Sequence, residues 1–288
     1  MIQTIAYVAV VLVVVYVGLL IMLWRFQEHI VFQPPASVPA SAISARRVQY
    51  QTADGVDLFA YLVGDCGPQS TVILAFHGNA DLSRWLVPWA ADLVRQSNVC
   101  VLLPEYRGYD GLSGSPTYAS SAHDARAALA YARESLGASP ANMVFFGHSL
   151  GSAIAAELAA EEPPRALVLQ APFSSVRAMA GRMIVPGVAA FFDMISRVHF
   201  DTVDRVRALQ VPVWVAHGDR DIVVPVRMGR EVFEAAANRG ELLIVHGAGH
   251  NDVESVGGDD YWRWLLQAIR GATRSPIRGA AAGTRSEL

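Results

Sequence analysis

The sequence predicts an α/β fold: a mostly parallel, doubly wound sheet with an antiparallel hairpin ahead of it. Three observations carry this. A tight-turn pair, Asp54-Gly55, sits between two alternating segments; short, nearly continuous apolar runs follow it; and amphipathic segments separate those runs. Runs that are apolar at every position suit parallel strands covered on both faces, and their alternation with helices is the βαβ repeat.

The elements follow in chain order. Residues 4–24 form an uncharged, apolar run that as a helix would span about 31 Å, enough for a hydrocarbon core of about 30 Å. Residues 1–25 therefore read as a retained transmembrane anchor. A cleaved signal peptide is the weaker reading, because Met1-Ile2-Gln3 has no basic side chain and the small-x-small site Ala40-Ser41-Ala42 lies far beyond the run. Arg25, Arg46 and Arg47 follow the helix while only the α-amino group precedes it, a bias that leans towards a cytoplasmic location for the domain that follows. Residues 26–45, rich in Pro, Ala and Ser, read as a connector onto a domain spanning 46–272.

Within that domain, Val48 to Thr52 and Val56 to Val63 alternate around Asp54-Gly55, a favoured hairpin turn. Apolar runs at 71–76, 99–104, 143–147, 166–170, 211–216 and 242–245 predict the parallel strands. Segments 82–97, 120–136, 149–161, 226–237 and 260–270 predict helices between and after them. No clear strand lies between Gln170 and Val211. That interval reads as a short helical lid, about 174–205, over the C-terminal edge of the sheet. Its Met- and Phe-rich stretch either lines an acyl pocket, through Met183, Phe191 and Phe192, or packs on the sheet. Residues 273–288, poor in large apolar side chains, read as a disordered tail.

Composition narrows the chemistry. A length of 288 residues suits one enzyme-sized domain with extensions, and 52% apolar residues leave a large core. A net charge of −3 supplies no basic face for nucleic acid. The chain contains no Lys, which excludes Schiff-base and P-loop lysine chemistry. Cys100 lies in an apolar run and reads as a small buried hydrophobe, and Cys66 lies in a Gly-Asp-Cys-Gly-Pro loop. A disulfide between them is the less favoured reading. No metal cluster or nucleotide loop appears, so no cofactor and no metal are expected.

Gly147-His-Ser-Leu-Gly151 matches G-x-S-x-G, with an apolar strand entering it and an Ala-rich helix leaving it. In that context Ser149 is a nucleophile on a strained strand-to-helix turn. A nucleophilic Ser needs a base and a group that orients the base, and in this chain order both follow it. His250, on a Gly-containing loop, is preferred as base to His246, which abuts the preceding strand. Asp219 and Asp221 both stand after the strand at 211–216, where open α/β sheets place their sites. The backbone N–H groups of Leu150 and Asn79 are the candidate oxyanion donors, and His77 shapes the Asn79 loop.

Five blocks occur in order: Phe76-His-Gly-Asn-Ala80, Glu105-Tyr-Arg-Gly-Tyr109, Gly147-His-Ser-Leu-Gly151, His217-Gly-Asp-Arg-Asp221 with Val224-Pro225, and Gly247-Ala-Gly-His250. Together they resemble the membrane-anchored α/β-hydrolase-domain proteins, a group of serine hydrolases that includes protein depalmitoylases and bacterial esterases. The resemblance covers about residues 32–271. It implies the α/β-hydrolase fold, makes Asp221 the acid, with Asp219 left to cap its turn, and gives the Glu105 block a structural role near the oxyanion strand. Asp110 departs from it, since relatives commonly carry Gly directly after the Tyr.

The leading functional expectation is a serine hydrolase of the esterase, lipase or thioesterase type. It would act on a small-molecule or lipid-like acyl substrate at a membrane, through an acyl-enzyme. The alternatives are a serine peptidase of the same fold, or a non-catalytic membrane-bound interaction scaffold.

Overall fold

A computed structural model describes residues 1–36, 44–182 and 196–271. Eight strands form one sheet in the order β1-β2-β4-β3-β5-β6-β7-β8. β1 (Arg46–Gln51) and β2 (Asp57–Val63) pair antiparallel, with Gln51 opposite Asp57 across the turn, and β2 also runs antiparallel to β4 (Val99–Pro104). β3 (Thr71–Phe76), β5 (Met143–His148), β6 (Ala166–Gln170), β7 (Val213–Gly218) and β8 (Arg239–Val245) complete the parallel part. The chain winds from β3 outward to β4, then crosses back to β5 on the other side of β3. That reversal opens a crevice beyond the C-terminal ends of β3 and β5, where Phe76 pairs with Gly147.

Alternation along each strand divides the core. Val72, Leu74 and Phe76 point to one face, and Ile73 and Ala75 to the other. The first face is covered by α3 (Tyr118–Leu136), α4 (Leu150–Glu161), α6 (Thr202–Ala208) and α7 (Val226–Ala235). The second is covered by α2 (Val87–Gln96) and α8 (Val253–Arg270). α3 starts where Thr117 and Ser120 cap each other reciprocally and stops at Gly137 in the left-handed conformation.

Several boundaries differ from the sequence expectation for identifiable reasons. β7 begins at Val213 because Pro212 has no N–H to give a ladder. β8 is an edge strand whose first half is Arg239-Gly240-Glu241, invisible to a search for apolar runs. α8 begins at Val253; Gly257-Gly258 hides its first turns, and Gly258 (φ +48°) kinks it. α1 (Ile2–Val31) runs almost two turns past Arg25, so the connector is shorter than expected. None of its residues is buried, which is unlike a core helix.

Cys66, in the β2–β3 loop, is bonded to Cys100 of β4 with Cα atoms 5.2 Å apart. The bond corrects the unbonded form expected from the sequence. A buried Cys in an apolar run and a partner in a loop meet because β2 and β4 are direct neighbours in the sheet.

The insertion leaves and rejoins the domain through a Ser175–Asp201 bridge, flanked by α5 (Val176–Ala180). Met183, Phe191 and Phe192 lie outside the described residues, as does the tail.

Candidate active site

The crevice beyond β3 and β5 gathers the chemistry-bearing residues. Ser149 follows β5 with φ +52° and ψ −114°, a conformation that strains any residue with a Cβ. The turn is this tight because its flanking glycines permit it. A Cβ on Gly147 would stand 2.3 Å from the Gly151 carbonyl oxygen, and one on Gly151 would stand 2.2 Å from that of Phe76. Ser152 Oγ donates to the Gly147 carbonyl at 2.8 Å and fixes the turn from within.

His250 comes from the loop after β8. Its Nε2 lies 2.9 Å from Ser149 Oγ and its Nδ1 2.7 Å from Asp221 Oδ2. Asp221, from the loop after β7, also accepts the backbone N–H groups of Val223 and Val224 on Oδ1, both at 2.8 Å. Burial would raise its pKa, but the hydrogen bonds from His217 and His250 outweigh burial and hold the carboxyl well below the usual carboxylate range. Asp219 sits apart. It accepts from the Gly247 N–H at 2.7 Å and pairs with His246 at 2.9 Å. His246, which abuts the strand, is 87% exposed at its side chain.

Two histidines that the sequence reading left without a role support this arrangement. His217 Nε2 lies 3.2 Å from Asp221 Oδ2 and 2.9 Å from the Val224 carbonyl oxygen, so one N–H serves both acceptors and braces the carboxylate. His148 Nε2–H donates to the His250 backbone carbonyl at 3.1 Å, pinning the loop that carries the candidate base. Burial, with the adjacent His250 ring, lowers the His148 pKa to about 4, which keeps it neutral. Both stand inside the quoted blocks, at His217-Gly and Gly-His-Ser, which was the available signal.

The loop after β3 carries Asn79, and α4 opens with Leu150, whose N–H belongs to the first turn where no intrahelical acceptor exists. Both residues line one cavity with Ser149. His77 is fully buried and does not face Ser149. Its ring contacts the Gly78 carbonyl and the Glu105 carboxylate, each at 2.8 Å. Burial alone would lower its pKa, but the Glu105 charge and hydrogen bond overcome that and raise it. Glu105 Oε2 also takes the Ser83 N–H at 3.0 Å and its hydroxyl at 2.8 Å. The Glu105–Tyr109 block thus holds the Asn79 loop from beneath. Asp110 adopts φ +44°, a conformation that favours Gly, and pairs with Arg84 at 3.3 Å.

Two cavities meet at this point. The first, about 370 Å³, runs from Ser149 and Leu150 between Phe173, Val176, Met179 and Val198 and the last turns of α1. The second, about 350 Å³, is lined by His250, His148, Asp81, Trp85, Trp89 and Glu254 and is far more polar. Among the described residues no group of three or more His, Cys, Asp or Glu is placed to hold a metal ion.

Comparison with known proteins agrees with this fold. The sequence profile described as serine aminopeptidase, S33, matches residues 67–201. The uncharacterized protein Rv2307c of Mycobacterium tuberculosis is 34% identical over 261 residues, 88% of this chain and 89% of that one. The human alpha/beta hydrolase domain-containing protein 17B is 31% identical over 194 residues, covering 67% of this chain and 65% of its own. Among solved structures, the Pyrococcus furiosus esterase Pf2001 superposes with a TM-score of 0.64 at 18% identity, over 82% of this chain and 99% of that one. The Rhodococcus esterase RhEst1 gives 0.59 at 19% identity, over 78% and 98%.

Proposed function

The chain belongs to the α/β-hydrolase family, and from that membership we propose that this hydrolase cleaves carboxylic esters or thioesters of acyl chains through Ser149, His250 and Asp221. The observation that carries the reading is the hydrogen-bonded line from Asp221 through His250 to Ser149, which ends on an apolar cavity. His250 Nε2 takes the hydroxyl proton as Ser149 Oγ attacks the acyl carbonyl. The N–H groups of Asn79 and Leu150 stabilise the resulting oxyanion. Collapse expels the leaving group, which receives its proton from His250, and leaves an acyl-enzyme. Water, deprotonated by His250, releases the acid and restores Ser149.

The two cavities divide the substrate. His250 lines the polar one, so the leaving group that it protonates belongs there, and the acyl chain belongs in the apolar one. The same division weighs against a peptidase, the reading favoured by the name of the matching profile. An aminopeptidase holds its substrate's α-ammonium on the acyl side, and no carboxylate is among the described residues lining that cavity. The scaffold reading explains none of the groups aligned on Ser149.

We also read α1 as a retained single-pass anchor and place the catalytic domain on the oxidising side of the membrane. The arginine bias rests on few charges, with only Arg25 close to the helix end, and a folded domain of this size translocates largely regardless of charge. A Cys66–Cys100 disulfide persists in an oxidising compartment and is rare in the cytosol. The function is tested by assaying the full chain on esters and thioesters of graded acyl length and on aminoacyl arylamides. A kcat/KM that climbs with acyl length supports the reading. Preferential cleavage of the arylamides sinks it.

A further inference from the structure

We propose that α1 is part of the substrate site: residues 23–31 form one wall of the acyl cavity, so the chain is drawn from the bilayer along the helix to Ser149. The inference rests on the hydrolase reading above and deepens it by naming a membrane-resident acyl chain as the ligand.

The geometry starts in the sequence. A 30-residue helix is about 45 Å long, whereas about 20 residues cross the hydrocarbon core. The last turns therefore rise into the interface, where Arg25, Glu28 and His29 appear. At about 100° per residue, those three lie on one side of the helix. Leu23, Trp24, Gln27, Ile30 and Val31 lie on the opposite side, and these five line the cavity that ends at Ser149. Val31 stands eight positions after Leu23, so the wall extends about 12 Å along the helix axis, from the bilayer end to the reacting end.

A passive tether would need no fixed contact with the domain, yet this helix is held at both ends of the wall. At the bilayer end, Arg197 donates its backbone N–H to Gln27 Oε1 at 2.5 Å and a guanidinium N–H to the Trp24 carbonyl at 3.0 Å. Its guanidinium also lies 4.9 Å from the Trp24 ring centroid. At the reacting end, Phe32 is buried 6.3 Å from Phe200, ring to ring. The Gln33 N–H donates to Asn79 Oδ1 at 2.8 Å, an oxygen that also accepts from Tyr109 at 3.0 Å. The anchor is thus joined to the residue whose own N–H is the candidate oxyanion donor. An acyl chain that follows this wall exchanges lipid for apolar side chains.

The test uses the full chain in lipid nanodiscs and two fluorophosphonates, one ethyl and one hexadecyl with a diazirine along its chain. We expect the hexadecyl probe to label Ser149 and, on illumination, to crosslink to the peptide holding residues 23–31. Ile30→Trp and Leu23→Trp should each cut the hexadecyl-to-ethyl ratio of labelling rates at least tenfold, whereas Leu12→Trp, in the bilayer part of α1, should not move it. Labelled Ser149 with crosslinks only elsewhere, or an unchanged ratio in both wall variants, overturns the inference and leaves the hydrolase reading standing. Failure of both probes to label the wild-type chain overturns that reading and this inference with it.

Discussion

Replacing Asp221 with Asn tests the candidate acid by geometry and not by charge alone. Oδ1 accepts two backbone N–H groups, from Val223 and Val224, so in the variant that position must keep the amide oxygen. The amide NH2 then falls where Oδ2 stood, facing His250 Nδ1 at 2.7 Å and His217 Nε2 at 3.2 Å. Two donors cannot share one bond, so His250 shifts its proton to Nε2 and presents an N–H to Ser149 Oγ, where the reaction needs an acceptor. Loss of the correct tautomer in Ser-His-Asp enzymes lowers kcat by about 10⁴, equivalent to about 5 kcal/mol of transition-state stabilisation. Asp219→Asn disturbs the exposed pair with His246 and the hydrogen bond from the Gly247 N–H, neither of which reaches His250, so little change in kcat is expected. The assay is steady-state hydrolysis of a short-chain ester, with thermal melting to show that both variants are folded. A folded Asp221→Asn variant that keeps a tenth or more of wild-type kcat would refute the reasoning, as would an equal loss in Asp219→Asn.

Three further predictions concern His148 and the disulfide. His148→Ala frees the His250 carbonyl and should lower kcat about tenfold, close to the 1.4 kcal/mol of one lost hydrogen bond, with labelling of Ser149 slowed but not abolished. His148 stays neutral in the folded chain down to a pKa of about 4, while in the unfolded chain it protonates near pH 6.5. Stability should therefore fall as pH drops from 6.5 to 4, by up to about 3 kcal/mol from this group, and denaturant melts of His148→Ala should show a shallower decline. Opening the Cys66–Cys100 link, which closes a loop of separation 34, should cost about 3–4 kcal/mol in urea unfolding. A thiol-alkylating mass shift on the untreated, freshly isolated protein would contradict both the bond and the proposed oxidising location.

Much of this was legible in the sequence because parallel strands covered on both faces are apolar at every position. That pattern located β3 to β6 closely. It failed at β8, whose exposed first half alternates, and at the start of α8, where a Gly pair interrupts the helical signal. The candidate nucleophile, base and acid each sit in a short block at a strand end, so their positions could be read before their distances were known. The bracing by His217 and His148 could not, because each acts across a loop closure that depends on backbone geometry. The end of α1 was equally hidden. Its length and apolar composition suit a membrane span, and nothing in a single helix's residues shows which of them face a cavity in another part of the chain.

The central claim is that Ser149 is the nucleophile of an acyl-transferring site, and the most direct measurement is active-site labelling of the full chain by a fluorophosphonate, followed by peptide mass mapping. The account predicts one modified residue, Ser149, with labelling and ester hydrolysis lost together on inhibition, and a Ser149→Ala variant that folds but takes no label. Undiminished labelling or hydrolysis in that variant, or modification mapped to another serine, would contradict it.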